Sequence, residues 1–198
     1  MERFAQAAED LLQDRAFEEI SVHDIARRAR RPIGSFYARF KSKDAMLPHL
    51  YERYDASLAA VFEARLVHYD WDSLGFMATI EAIVDFVIVL FDQRRWLIRT
   101  LALFARLRPE ALPPSVESRR RELYERVVAR LARHRASIRH ANPETAIRFG
   151  LFMVESVARE KLLFDQAPHA RITPLSRRAL REELVRALHG YLSCEAPA

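Results

Sequence analysis

Apolar residues recur at a spacing of three to four along nearly the whole chain, the period of a helix with one buried face. Two short stretches near the start carry the pattern most clearly. Over residues 21–29 it places Val22, Ile25, Ala26 and Ala29 on one face behind Ser21, a residue type that caps helices. Over residues 33–40 the same face is Ile33, Phe36, Tyr37 and Phe40. A break between them leaves two short helices in succession. Further on, turn-forming residues cluster at 68–73 (HYDWDS), 107–115 (LRPEALPPS), 140–143 (HANP) and 166–176 (QAPHARITPLS). Periodic stretches of about 12 to 25 residues lie among them, suitable lengths for a helical bundle. The whole chain holds only 4 glycines, too few for the hairpins of a sheet protein. The expectation is an all-α fold of about nine helices, with a small helix-turn-helix head over 1–47 and a larger helical bundle over 48–198. Pro48 falls where the helix opened by Ser42 would already be running, so a kink or a loosened start is expected there.

Within the bundle, Ile80, Ile83, Val84, Phe86, Val87, Val89, Leu90 and Phe91 leave only Glu81, Asp85 and Asp92 as a thin polar stripe. This predicts a helix buried nearly all round. The next helix adds Trp96, Leu97, Leu101, Leu103 and Phe104. The last two long helices each present apolar residues on more than one face. One has a row of Ala146, Gly150, Met153 and Val157 beside a row of Ile147, Leu151, Val154, Ala158 and Leu162. The other has Leu180, Leu184, Leu188 and Leu192. One row can serve the core and another a partner.

Charge sharpens the picture at the amino end. Residues 21–43 hold Arg27, Arg28, Arg30, Arg31, Arg39, Lys41 and Lys43 against the single acid Asp24, whereas residues 1–20 set Arg3 and Arg15 against six acids. The basic strip is therefore localised, and a polyanion is its natural partner. The arginines between Arg119 and Arg139 read instead as a solvated helix face. The longest wholly apolar run, 86–91, is far too short to span a membrane, and the amphipathic start MERFAQAAEDLLQD lacks the apolar centre of a signal peptide. The lone Cys194 offers no disulfide. A soluble cytoplasmic protein with no membrane partner is expected.

Catalytic chemistry is poorly represented. The glycines stand apart, so there is no phosphate loop, and the seven histidines show no metal-ligand spacing. Cys194 has no evident base. No catalytic residue, metal or cofactor is expected. An all-helical enzyme built from dispersed residues, or a protein-only adaptor with a basic surface, remain the alternatives to a nucleic-acid-binding module.

Several features in order resemble the amino-terminal DNA-binding domain of the TetR family of transcriptional regulators. They are the apolar helix around Ala8 and Leu12, Ala16-Phe17, the Ser21 cap, Ile25-Ala26, Ala29, Gly34-Ser35-Phe36-Tyr37, Phe40, Lys41-Ser42-Lys43-Asp44 and Leu47. The turn departs from the pattern. Arg30 stands where the family has glycine, and Arg31-Pro32 replace an apolar residue and a serine cap. A left-handed backbone at Arg30 would cost roughly 1 kcal/mol. The resemblance implies a regulator, acting as a repressor, that binds a palindromic operator in double-stranded DNA. Ile33, Gly34 and Ser35 would then meet the major groove. Tyr37 and Lys43 would reach phosphates, Arg39 a base edge or the backbone, and Ser21 and His23 the backbone. It also implies an unidentified small-molecule effector in the body, near Phe86, Trp96, Phe104 and Phe152. A homodimer is implied as well, through the last two long helices, with Gly150, Met153, Val157, Leu184 and Leu188 at the interface.

Overall fold

The computed structural model describes residues 1–68 and 70–195, and these contain ten α-helices and no strand. In chain order the helices are α1 (Glu2–Leu11), α2 (Val22–Arg28), α3 (Ile33–Tyr37), α4 (Leu47–His68), α5 (Phe76–Gln93), α6 (Arg95–Leu107), α7 (Pro114–Ala132), α8 (Pro143–Leu163), α9 (Pro168–Ile172) and α10 (Arg177–Ser193). The all-α expectation is met. The predicted break at 68–73 includes Tyr69, which lies outside the described residues; α4 ends before it and α5 begins after it.

The chain forms two compact units, one of Met1–Ala60 with Arg94–Arg120, the other of Val61–Gln93 with Arg121–Ala198. Helices α4 and α7 contribute residues to both. In the first unit α1, α2 and α3 close around Phe36, which has no exposed surface. Its ring stands edge-on to Phe4 at 5.4 Å and lies 5.2 Å from Phe40. Leu12, Ile20, Ile25, Met46 and Leu50 complete this small core. Helix α4 is tied back to α1 by Arg53, whose guanidinium donates to Glu9 (2.8 Å) and Gln6 (3.1 Å) and also to Glu2. Further along α4, the fully buried Asp55 accepts from Arg119 at 2.7 Å and Arg120 at 3.3 Å, both at the start of α7. A buried carboxylate needs such partners, because an isolated charge in an apolar setting is strongly unfavourable.

In the second unit α5, α8 and α10 pack on one another. Ile80, Val84, Ile147, Val154, Leu184 and Leu188 fill the space between them. The close approach of α8 and α10 depends on Gly150, where an added Cβ would stand 2.6 Å from Leu188 Cδ1. Asn142 and Ser176 cap α8 and α10, accepting from Thr145 N and Ala179 N, each at 3.1 Å. Arg181 of α10 pairs with Asp85 of α5, Nη2 to Oδ2 at 2.9 Å.

Four expectations are corrected here. Pro48 sits at the second position of α4, because the chain makes a 3-10 turn over Asp44–Met46 first and the helix opens at Leu47 rather than Ser42. Its missing N–H falls among those with no helical partner, so it demands no kink. Helix α7 stops at Ala132, well before the break at 140–143. The chain turns so that Ile138 enters the core in an extended conformation and Arg139 N donates to Leu192 O at 2.9 Å. The segment 166–176 contains a short helix, α9, started by Pro168 and pinned by Lys161, whose ammonium donates to the carbonyl oxygens of Ala170 (2.8 Å) and Thr173. Finally, α5 is not buried all round. Its neighbours α8 and α10 cover one side, and Phe86, Val87, Val89 and Leu90 are only half-buried.

Candidate nucleic-acid interface

Helix α2 begins as the sequence predicts. Ser21 Oγ accepts from Asp24 N at 3.0 Å, and Asp24 Oδ2 accepts from Ser21 N at 3.1 Å, a reciprocal capping box. The hydroxyl also donates to the same carboxylate at 2.7 Å. These bonds from Ser21 hold the Asp24 carboxyl below its ordinary pKa. His23, in the first turn, is exposed.

Helix α2 ends in a Schellman motif, in which Arg30 N donates to Arg27 O (3.1 Å) and Arg31 N to Ala26 O (3.0 Å). The motif needs a left-handed residue between them. Arg30 supplies it with φ 52°, the one non-glycine residue with positive φ among those described. Pro32, with φ −60° and ψ 143°, then redirects the chain and stands immediately before α3 instead of inside it. The proline turn thus replaces the serine cap by fixing the backbone rather than by a side-chain bond.

Helix α3 is a single turn and a half, and its predicted apolar face divides. Phe36 and Phe40 point inward, while Ile33 is 44% and Tyr37 53% exposed. Gly34 is also exposed, and nothing lies within 4 Å of the place where its Cβ would be. Ser35 is half-buried, with its carbonyl accepting from Arg39 Nη1 at 2.7 Å. Ile33, Gly34 and Tyr37 therefore form an open surface with no Cβ at its centre, and Ser35 and Arg39 flank it.

The basic side chains around this surface differ in what they touch. Arg27 pairs with Asp24 at 2.9 Å. Arg28 sets both Nε and Nη2 on Asp10 Oδ2, at 3.0 and 2.7 Å, and Asp10 is held below its ordinary pKa by the Gln6 hydrogen bond and by Arg28. Lys43 donates to the carbonyl oxygens of Phe17 (2.7 Å) and Ile20 (2.8 Å), with its ammonium 4.3 Å from the Phe17 ring centroid. Two of its three donors thereby fasten the segment leading into α4 to the turn preceding Ser21. Arg30, Arg31 and Lys41 are exposed and have no acidic partner among the described residues.

The other predicted site residues are placed less uniformly. Phe86 is half-buried and Phe152 59% exposed, both in the second unit; Trp96, half-buried, and Phe104, buried, belong to the first. Of the residues expected at a dimer interface, Gly150, Leu184 and Leu188 lie inside the second unit, used by the packing of α8 on α10. Met153 is half-buried and Val157 is 40% exposed, beside Phe149 and Phe152 on the outer face of α8. Sequence reasoning misses this stripe, although the 149, 152, 153, 157 spacing is helical; it groups Met153 and Val157 with Ala146 and Gly150, which turn inward. It also misses Asp55, which no local pattern distinguishes from a surface acid. Among the described residues no three His, Cys, Asp or Glu are grouped to hold a metal ion, and no helix is long and apolar enough to cross a membrane.

A two-helix motif on a three-helix core, with its second helix exposed in a basic setting, defines a helix-turn-helix protein. Residues 5–50 match the family model of bacterial regulatory proteins, tetR family. An HTH-type transcriptional regulator of Bacillus subtilis, YwcC, is 46% identical over 52 residues, 26% of this chain and 23% of that protein. The chain spans less than half the length of the curated relatives it matches. Similarity of fold runs the full length. A regulatory protein of the tetR family from Rhodococcus RHA1 superposes with a TM-score of 0.66 at 14% identity, covering 98% of this chain and 97% of the other. The multidrug binding protein EbrR, in complex with ethidium, gives 0.60 at 20% identity, covering 94% and 96%. The amino-terminal domain, residues 5–50, is that of the tetR family of bacterial regulatory proteins.

Proposed function

We propose that this regulator is a cytoplasmic homodimer that binds a palindromic operator in double-stranded DNA, acts as a repressor and is released by a small-molecule effector. The observation that carries the DNA-binding reading is the exposed face of α3, open at Gly34 and set in a strip with seven basic side chains and one acid. Placed in a major groove, Ile33 and Gly34 give close apolar contact, and Ser35 offers a hydroxyl. Tyr37 projects its hydroxyl to a phosphate, and Arg39, held along α3 by the Ser35 carbonyl, reaches a base edge or the backbone. Ser21 and His23 approach the backbone at the start of α2. Lys43 uses its remaining donor for a phosphate while its other two position the turn.

The outer stripe of α8 supports the dimer, since Phe149, Phe152 and Val157 are large apolar side chains left exposed in the single chain. Phe152 accordingly moves from the effector site to the interface. Phe86 in the second unit, and separately Trp96 and Phe104 in the first, stay as candidates for the effector reading. That reading is supported by the likeness of fold to EbrR, a multidrug binding protein solved with ethidium. A ligand shifts DNA affinity only by its difference in affinity for the two states of the regulator.

The test is selection of bound sequences from a pool of random duplexes by the full-length protein. Enrichment of a two-fold symmetric sequence is expected. Recovery of sequences no different from the input would refute the proposal.

A further inference from the structure

The turn between α2 and α3 carries two unfavourable choices at once. Arg30 holds a left-handed backbone that crowds any side chain and that glycine adopts freely. Arg31 occupies the position after it, where a Schellman motif commonly gains an apolar contact, yet its side chain is exposed. Neither residue stabilises the turn through an ion pair, because neither has an acidic partner among the described residues. Apart from Lys41, which is exposed like them, the other bases of the strip are engaged within the protein: Arg27 with Asp24, Arg28 with Asp10, Arg39 with the Ser35 carbonyl, and Lys43 with the Phe17 and Ile20 carbonyls. A strained residue kept without any internal partner points to a role outside the chain.

We propose that Arg30 and Arg31 are DNA-backbone contacts, which with Lys41 supply the sequence-independent, salt-sensitive part of binding, while the paired Arg27 and Arg28 contribute little to it. This rests on the DNA-binding reading above. The two arginines precede Pro32 at the entry to α3, so a groove that receives Ile33 and Gly34 brings a flanking phosphate within their reach. The paired arginines would have to leave Asp24 or Asp10 to do the same. Counterion release makes each neutralised phosphate visible as a contribution of about −0.9 to the slope of log K against log salt.

Binding of the full chain to a selected duplex and to an unrelated one, measured across salt concentrations, tests this with Arg30→Gly, Arg31→Ala and, as a paired control, Arg28→Ala. Thermal unfolding is followed in parallel. Arg30→Gly and Arg31→Ala should each make the slope shallower by about 0.9, one phosphate fewer being neutralised, and weaken both duplexes by a similar factor. Arg28→Ala should leave the slope near that of the wild type. Arg30→Gly should also raise the melting temperature, so stability and affinity move in opposite directions, which a purely structural arginine would not produce. Unchanged slopes in the Arg30 and Arg31 variants, or an equal fall in Arg28→Ala, overturn the inference. If the wild type binds duplexes but selects none, the sequence-specific reading fails and the slopes still decide the role of the two arginines. If it binds no duplex, both fail.

Discussion

Asp24 and Asp10 each tie the stability of the amino-terminal domain to pH. Both carboxyls are held below the ordinary value of 3.8, Asp24 by the Ser21 bonds and Asp10 by Gln6 and then Arg28. A lowered folded-state pKa means that the folded protein resists protonation more than the unfolded chain does. The stabilisation is therefore complete above the unfolded value and is lost as pH falls through the folded one. The melting-temperature advantage of the wild type over Asp24→Asn should persist from neutral pH down to about 4 and then shrink below it, in a thermal unfolding series against pH. An advantage that stays constant to lower pH would show that the capping box is not the cause. Ser21 as a cap, Gly34 and the Arg30 departure are all legible in the sequence, because each depends on neighbours a few residues away. The Arg28–Asp10 pair and the Lys43 clamp on Phe17 and Ile20 are not, since 18 and up to 26 residues separate the partners.

At the scale of elements, the joint between α8 and α10 is constrained at Gly150. The Leu188 side chain that a Cβ at Gly150 would strike is fully buried. Gly150→Ala should destabilise the protein by about 1–3 kcal/mol, the usual penalty of overpacking, partly offset by the better helix propensity of alanine. Chemical denaturation reads this directly, and a stabilised variant would contradict the packing described. Helix existence and type follow from periodicity, whereas the helix ends do not. The end of α7 is decided by Ile138 entering the core and by Arg139 meeting the Leu192 carbonyl, both tertiary events. Likewise α9 depends on Lys161 reaching across to its carbonyls, which no local turn signal announces. The inward turn of Gly150 is hidden for a related reason. Both faces of α8 are apolar, and only the positions of α5 and α10 decide which one is core.

For the molecule as a whole, the outer face of α8 connects fold to assembly. Phe152→Asp places a charge in the centre of the proposed interface without touching the core of the chain, so the folded protein should persist as a monomer in sedimentation velocity while the wild type sediments as a dimer. A variant that remains dimeric would move the interface elsewhere. The central claim, that α3 enters the major groove once from each of two subunits, is tested most directly by tethered cleavage. Gly34→Cys in a Cys194→Ser background carries a DNA-cleaving chelate at a position with room for a side chain. On a selected duplex the account predicts two cleavage patches related by two-fold symmetry, about 34 Å apart or at a related spacing set by the helical repeat. Uniform cleavage along the duplex, or a single unsymmetrical patch, would contradict it.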